Sequence, residues 1–306
     1  MSRRVAVLMG GLSAEREVSL TSGEACAAGL ERKGFDVVRI DVGADLPERL
    51  RELAPDICFN ALHGRWGEDG CVQGLLEVMR IPYTHSGVRA SAVAMHKPTA
   101  VELFERAGMR CPDGIVATLE EIAAGGVMAP PFVVKPVAEG SSVGVLLIDD
   151  LDDPRLRPNI GPGATAIDAA MLVEPFVAGH ELTCGVLDGR PLAVTEIRPR
   201  EGFYDYRAKY TEGVADHLVP APMPDPVMAR VMDWAVRAHQ VLGCRGVSRA
   251  DFRLDPDLGD AGLHLLEVNT QPGMTPLSLV PEQAAHAGIS FDDLVAHLVE
   301  DASCDR

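Results

Sequence analysis

The first third of the chain alternates short apolar runs with helical stretches, and this alternation constrains the fold more than any other feature. Val5–Met9 is a predicted strand, and two more strands are predicted at Val37–Ile40 and Ile57–Ala61. Parallel strands need helical crossovers of this kind, so the pattern predicts a doubly wound parallel sheet. Ligands bind at the carboxyl ends of strands in such sheets, which makes residues 10–17 and 62–70 candidate functional loops.

The remaining two thirds of the chain show a different pattern, in which predicted strands are joined by turns. Glu181–Leu187 and Pro191–Ile197 form a predicted hairpin around Asp188-Gly189, a dipeptide that suits a two-residue turn. Ser248–Leu254 and His264–Asn269 form another predicted hairpin. Strands joined by short turns pair antiparallel. The predicted fold class is therefore α/β (α+β).

The charge of the chain restricts its partners. The 306 residues carry 45 acidic and 28 basic side chains, a net charge of −17, whereas a protein that coats nucleic acid or an anionic membrane needs a wide basic face. No uncharged run reaches the roughly 18 residues that span a membrane. The seven cysteines are scattered without a C-x-x-C pair, which favours reduced thiols in the cytoplasm. We expect neither nucleic acid nor membrane as a partner, although a few local cations suffice for a phosphate ligand.

Acidic and basic side chains alternate on the carboxyl-terminal hairpin. Arg249, Asp251 and Arg253 share one face of the first strand, and Glu267 and Asn269 share one face of the second. If the turn is centred between the strands, Asp251 opposes Glu267 with Cβ atoms about 4.5–5.5 Å apart. Two carboxylates at that distance repel unless a cation lies between them, and oxygen ligands suit Mg²⁺ or Mn²⁺. A solvated face with an Asp–Arg ion pair fits the spacing equally well.

Lys135 precedes a second candidate site, the loop that runs to Gly144. Gly140 and Gly144 allow a close backbone approach, and free N–H groups there could bind an anion beside the Lys135 charge. The loop is not a Walker A motif, and G-x-G-x-x-G is absent from the chain, which disfavours a nicotinamide dehydrogenase. An ordinary hairpin turn remains the alternative.

Four further features are weaker indications. The stretch Glu174–Val177 followed by Glu181 could present backbone groups and a carboxylate to a purine and ribose, but the exit of an edge strand looks the same. His63 ends a predicted strand, where a histidine is more often structural than catalytic. Glu15 follows the first strand and reads as the solvated start of a helix. Residues 199–224 form a long polar stretch, which is typical of a functional or disordered loop.

Several long segments together resemble the D-alanine–D-alanine ligase family of the ATP-grasp superfamily. They are ALHGRWGEDGCVQGLLE, FVVKPVAEGSSVGV, FYDYRAKY, SRADFRLD and LLEVNTQPGMTPLSLVP, and they occur in the expected order. The resemblance implies an ATP-grasp fold with an N-terminal doubly wound parallel-sheet domain at 1–95. It implies a central domain at 96–180 and a carboxyl-terminal domain at 181–306, with ATP between these two and residues 199–224 as a lid.

The resemblance also implies the reaction, its partners and the site residues. Two D-alanines and ATP would give D-alanyl-D-alanine, ADP and phosphate for peptidoglycan, through an acyl phosphate, in a homodimeric enzyme. By their matching positions, the ATP phosphates would be held by Lys97, Lys135 and Lys209. The adenine and ribose would be held by Glu174, Val177 and Glu181. Two Mg²⁺ or Mn²⁺ ions would be held by Asp251, Glu267 and Asn269. A hydrogen-bond relay at the ammonium of the first D-alanine would be formed by Glu15, Ser141 and Tyr210. Arg249 and the Gly273 amide would be oxyanion donors. Ser278 would hold the carboxylate of the second D-alanine, and His63 would lie near the substrates.

The chain departs from its relatives at two positions near these residues. His96 stands where many have aspartate, and Gln271 stands where many have serine. Neither has a predicted role, so only local loop packing is in question. Tyr210 favours the dipeptide over the D-alanyl-D-lactate ester, because ester-forming relatives carry phenylalanine in the lid. A ligase for another acid–amine pair and a catalytically silent ATP sensor are the competing hypotheses.

Overall fold

Three β-sheets organise the part of the chain that the computed structural model describes. The described residues are 3–140, 144–156, 170–200 and 213–304. Ser141, Lys209 and Tyr210, three of the predicted site residues, lie outside these ranges, as do residues 201–212 of the predicted lid. None of the helices in the described ranges is both long and apolar enough to cross a membrane.

The first sheet is parallel, as the alternating pattern predicts. Its strands β1 (Arg4–Met9), β2 (Asp36–Asp41) and β3 (Ile57–Asn60) lie in the order β2-β1-β3. The helices of this region are α1 (Arg16–Arg32), α2 (Leu46–Leu53), α3 (Cys71–Met79) and α4 (Val88–Met95). Alternate residues of β1 point to opposite faces, so Val5 and Val7 pack with the α1 core while Ala6 and Leu8 pack with α2 and α3. The sheet is therefore covered on both faces, and both strand-end loops open at one edge.

The second sheet is antiparallel and is formed by strands between residues 115 and 175. The elements are α5 (Lys97–Arg106), β4 (Ile115–Thr118), α6 (Leu119–Ala123), β5 (Phe132–Pro136), β6 (Leu146–Ile148), a 3₁₀ turn at Pro154–Leu156, and β7 (Ala170–Pro175). The strand order is β4-β7-β5-β6. Lys135 and Glu174 lie on the neighbouring strands β5 and β7, where Glu174 opposes Val133.

The third sheet is also antiparallel and contains the carboxyl-terminal hairpin. Its strands are β8 (His180–Leu187), β9 (Arg190–Pro199), β10 (Ala215–Leu218), β11 (Val247–Leu254) and β12 (Leu263–Asn269), in the order β10-β9-β8-β11-β12. The turn between β8 and β9 has positive φ at Asp188 (49°) and Gly189 (71°), as a two-residue hairpin turn requires. Helix α7 (Asp225–Leu242) packs its apolar stripe on one face of the sheet. The prediction of one continuous loop at 199–224 is wrong at its end, because β10 pairs with β9 there.

The last two helices return the chain to the first sheet. Helix α8 (Leu279–His286) packs on β8 and β9, and α9 (Phe291–Asp301) packs on α1. Leu294 and Leu298 of α9 share a hydrophobic core with Leu30 of α1, and Arg32 makes a bidentate contact with Asp292 at 2.6 and 2.7 Å. The amino- and carboxyl-terminal regions thus share one core. The domain limits at 95 and 180 stay predictions.

Candidate active site

The two strand-end loops of the parallel sheet meet around His63. The Ser13 hydroxyl donates to the His63 carbonyl at 2.7 Å, Ser22 Oγ lies 3.2 Å from His63 Nε2, and Glu68 Oε1 lies 3.2 Å from Nδ1. Glu15 is only 3% exposed, so its interpretation as a solvated helix start is wrong. The carboxyl ends of the parallel strands gather these polar groups, as the fold predicts.

The loop after β5 closes over this group. A Cβ atom added at Gly140 would lie 3.2 Å from Glu15 Oε2 and 3.1 Å from Glu68 Oε2. A side chain at position 140 would therefore crowd both carboxylates, which explains the glycine there. The contact joins the second sheet to the first.

The β11–β12 hairpin has the predicted register at its functional end. Arg249 opposes Asn269 and Asp251 opposes Glu267. An irregularity after Asp251 shifts the pairing by one residue toward the turn, which the sequence spacing does not reveal. The Asp–Arg ion pair of the alternative prediction is present, because the Arg249 guanidinium donates to both Asp251 oxygens at 2.8 and 2.7 Å. The solvated face of that alternative is wrong, since the two side chains are only 12% and 18% exposed. Thr183 donates to Asp251 at 2.7 Å from the neighbouring strand.

A cleft of about 820 Å³ lies between the two antiparallel sheets, and we call it the intersheet cleft. Lys135 Nζ is 2.6 Å from Glu174 Oε2, and both side chains are almost fully buried. Glu174 Oε1 is buried and has no hydrogen-bond partner among the described residues. Arg253 lies over the Phe176 ring at 5.2 Å and contacts Glu181 at 3.3 Å. The cleft thus combines an apolar and aromatic wall with paired charges. Its lining includes Lys97, Lys135, Glu174, Val177, Glu181, Asp251 and Glu267.

A second cleft of about 820 Å³ lies where the hairpin faces the strand-end loops, and we call it the loop cleft. Ser278 Oγ accepts from the Thr275 backbone N–H at 2.9 Å, and a Cβ atom at Gly273 would come within 2.8 Å of that same oxygen. Gly273 therefore leaves room that a side chain would fill. Predicted site residues His63, Arg249, Glu267, Asn269, Gly273 and Ser278 all line this cleft.

The two clefts share a boundary formed by Lys97, Glu139 and Glu267. Lys97 Nζ donates to the Glu139 carbonyl at 2.5 Å and lies 3.9 Å from Glu267 Oε2. Burial lowers the pKa of the Lys97 ammonium, and the Glu267 carboxylate opposes that shift. A cation and a carboxylate thus stand where a group bound in one cleft would meet a group bound in the other.

The chemistry of the donor set around this boundary suits a hard divalent cation. Asp251, Glu267 and Asn269 offer only oxygen donors, and the two carboxylates oppose each other across one strand pair. Within the described ranges no three His, Cys, Asp or Glu side chains come together for a metal ion. The set therefore depends on two carboxylates and one amide, a small number that suits Mg²⁺ shared with a phosphate ligand.

Sequence reasoning missed contributors to both clefts. Glu68 was not singled out, although it follows His63 by five residues within the same predicted loop. Arg253 was placed on the hairpin face without a role, and Glu139 was not considered a boundary residue. Gln271, noted only as a departure from relatives, is 1% exposed and contacts Asn60 of β3.

Comparison with protein families gives matches over most of the chain. The model described as D-ala D-ala ligase C-terminus matches residues 116–300. The model described as D-ala D-ala ligase N-terminus matches residues 42–86. The two matches lie in the same order as the two regions of the fold.

Curated relatives and solved structures agree with these matches. A D-alanine–D-alanine ligase of Cereibacter sphaeroides is 55% identical over 99% of this chain and 97% of its own length. One of Ruegeria pomeroyi is 56% identical with the same coverage. The crystal structure of the Bacillus anthracis D-alanine–D-alanine ligase complexed with ATP superposes with a TM-score of 0.78 at 31% identity, covering 98% of this chain and 97% of that one.

Proposed function

The chain belongs to the D-alanine–D-alanine ligase family, and from that premise we propose how its two clefts divide the work of an ATP-dependent ligase. The enzyme joins two D-alanines into D-alanyl-D-alanine for peptidoglycan, with ATP as the energy source. The observation that carries the division is the shared boundary, where Lys97 and Glu267 line both clefts. Phosphoryl transfer depends mostly on positioning and charge neutralisation, and this boundary supplies both.

ATP occupies the intersheet cleft in this proposal. Lys97 and Lys135 line this cleft. Together with Lys209 of the predicted lid, they would hold the phosphates. Glu174, Val177 and Glu181 line the same cleft and would hold the adenine and ribose. Glu174 Oε1, which is buried and has no hydrogen-bond partner in the described part of the chain, supports this, because a buried acceptor without a donor is costly unless a ligand supplies one. The Bacillus anthracis relative was crystallised with ATP.

Mg²⁺ or Mn²⁺ would be held by Asp251, Glu267 and Asn269, with two ions expected from the resemblance. When bound, such an ion supplies charge neutralisation to the phosphate oxygens. The Asp251 oxygens already accept from Arg249 and Thr183, which holds the carboxylate in one orientation. A fixed carboxylate loses less conformational freedom when a cation is bound.

The two D-alanines occupy the loop cleft. Glu15, with Ser141 and Tyr210, would hold the ammonium of the first, and a carboxylate oxygen of that D-alanine attacks the γ-phosphorus as ADP leaves. The amine of the second D-alanine, whose carboxylate is held by Ser278, then attacks the acyl carbon. Arg249 and the Gly273 amide would stabilise the tetrahedral oxyanion, where one donor contributes about 3 kcal/mol. The bond between the acyl carbon and the bridging oxygen breaks, while the bond from that oxygen to phosphorus stays intact. Phosphate therefore leaves with one oxygen of the original carboxylate. His63 lines the same cleft and would lie near the two D-alanines.

The test is a phosphate-release assay on the pure protein with ATP, Mg²⁺ and D-alanine. We expect release that requires D-alanine and yields the dipeptide, and a folded Glu267→Gln variant without turnover. D-lactate, D-serine and L-alanine in place of D-alanine distinguish a ligase for another acid–amine pair. Absence of release with every substrate, from protein that binds ATP, would leave the sensor hypothesis instead.

The place and assembly of the enzyme are part of the same proposal. Its use of ATP and seven free cysteines support a cytoplasmic location. A homodimer is expected from the resemblance, and two-fold symmetric dimers are the commonest soluble oligomers. Light scattering after size-exclusion chromatography tests this with a mass of about twice 32.7 kDa.

A further inference from the structure

The segment at residues 270–275, which we call the bridging segment, is attached to the amino-terminal region at two points, one on β3 and one on α1. Gln271 Oε1 accepts from Asn60 Nδ2 at 3.1 Å, and Gln271 Nε2 donates to the Asn60 carbonyl. Three residues later the Met274 backbone N–H donates to Ser22 Oγ at 3.2 Å. Gly273 lies between these attachments and lines the loop cleft. Its amide is therefore located relative to the strand-end loops and not only relative to β12.

The first attachment is made to a rigid partner. Asn60 ends β3 and is fully buried. Its side chain also donates to the Gly67 carbonyl at 2.9 Å and accepts from the Leu62 N–H at 3.2 Å, while its own N–H donates to Thr84 at 3.0 Å. A primary amide can donate and accept at once, so Gln271 satisfies both an Asn60 donor and an Asn60 acceptor. Neither methionine nor a short hydroxyl side chain makes this pair of bonds.

Gln271 also contacts Asn269, which directly precedes the bridging segment. The Gln271 backbone N–H donates to Asn269 Oδ1 at 2.8 Å, which orients that amide and leaves its second lone pair for a cation. Gln271 Nε2 also lies 3.4 Å from each ring nitrogen of His85. Burial lowers the pKa of His85 to about 3, so this network is uncharged at neutral pH.

We propose that Gln271 is a positioning residue that sets the Gly273 amide and the Asn269 side chain for acyl transfer through its paired hydrogen bonds to Asn60. The inference rests on the proposed function, because the roles of Gly273 and Asn269 belong to it. An oxyanion donor acts only when it is aimed at the position that the charge will occupy. A bridging segment released at Gln271 keeps its attachment at Met274 but gains freedom on the side that carries Gly273.

The matched pair of variants is Gln271→Met and Gln73→Met. Gln73 is also 1% exposed, and its amide donates to the Gly67 carbonyl at 2.7 Å, but it makes no hydrogen bond to the bridging segment. Both variants replace a buried amide by an apolar chain of similar length, so both should lower the melting temperature. We expect kcat of Gln271→Met to fall about 10-fold or more with KM for ATP within about 2-fold, and kcat of Gln73→Met to stay within about 2-fold.

Amide hydrogen exchange gives a second readout that needs no turnover. Exchange in a peptide spanning 270–275 should be about 10-fold faster in Gln271→Met and unchanged in Gln73→Met. If Gln271→Met fails to fold, Gln271→Asn keeps the amide but is one methylene too short for both bonds, and it should show the same changes at smaller size. Equal effects of the 271 and 73 variants on kcat and exchange would overturn the proposal. A wild-type enzyme without ligase activity would instead overturn the proposed function, and exchange would still decide on the attachment.

Discussion

The intersheet cleft and the loop cleft have similar volumes but are held together by different interactions. Charged pairs hold the intersheet cleft, above all Lys135 with Glu174 and Arg253 with Glu181. The loop cleft has the Arg249–Asp251 ion pair on its hairpin side, but neutral hydrogen bonds between distant parts of the chain, such as Ser13 to His63 and Gln271 to Asn60, position the segments that carry His63 and Gly273. We infer that the first cleft is built for electrostatic binding of a polyanion and the second for accurate placement of reacting atoms.

The largest expected effect comes from replacing each of two arginines on one face of β11. Arg249 lines the loop cleft and Arg253 lines the intersheet cleft. Arg249→Met should lower kcat about 100- to 1000-fold, because removal of an oxyanion donor costs that much. Arg253→Met should mainly raise KM for ATP. Steady-state kinetics separate the two, and an equal loss of kcat in both variants would contradict the division of roles.

The buried ion pair of the intersheet cleft gives the next largest effect. Lys135→Met leaves the Glu174 carboxylate buried without its cation, which should lower the free energy of unfolding by about 3–5 kcal/mol. The double variant Lys135→Met/Glu174→Gln removes both charges and should recover most of that stability, but not ATP binding. Thermal unfolding with and without ATP measures both. Recovery of ATP binding in the double variant would show that Lys135 is only structural.

The smallest expected effect is a pH dependence at the boundary between the clefts. Because burial lowers the pKa of Lys97, its ammonium loses its charge at a lower pH than that of an ordinary lysine. If Lys97 holds a phosphate as proposed, KM for ATP should rise on the alkaline side. Lys97→Arg stays charged and should move that rise to higher pH. Lys33→Arg is the control, since exposed Lys33 pairs with Asp293, far from either cleft.

The lowered pKa of Lys97 also predicts how the free energy of unfolding changes with pH. The unfolded chain holds the Lys97 proton up to its ordinary value of 10.5, whereas the folded chain releases it at lower pH. Between these two values the unfolded state binds more protons, so the Lys97 contribution to the free energy of unfolding rises with pH. A contribution that falls over that interval would contradict the assigned direction.

Features with a short sequence period could be predicted, and features that depend on distant contacts could not. Alternation along β11 and β12 placed Asp251 opposite Glu267, and Asp188-Gly189 identified the hairpin turn. The irregularity after Asp251 and the short edge strand β10 leave no such periodic signal. Helix α4 was also missed, because its small residues give little amphipathic contrast.

Burial of polar groups was the hardest property to predict. A charged run such as Glu15-Arg16-Glu17 is typical of a solvated helix start, whereas Glu15 is buried because Gly64 and Gly140, both distant in sequence, approach its carboxylate. The pairing of Gln271 with Asn60 joins positions 211 residues apart, which no local pattern encodes. The roles assigned by resemblance to Glu15, Arg249 and Gly273 stay predictions. Arg249 and Gly273 line the loop cleft, and Glu15 lies beside Gly140, which lines it too.

An oxygen-transfer measurement tests whether the two clefts meet so that a carboxylate bound in one attacks the phosphate bound in the other. D-Alanine labelled with oxygen-18 in its carboxylate is ligated with unlabelled ATP, and the released phosphate is analysed by mass spectrometry. If the carboxylate attacks the γ-phosphate, the inorganic phosphate will contain one labelled oxygen for each dipeptide formed. Dipeptide formed with unlabelled phosphate would contradict it.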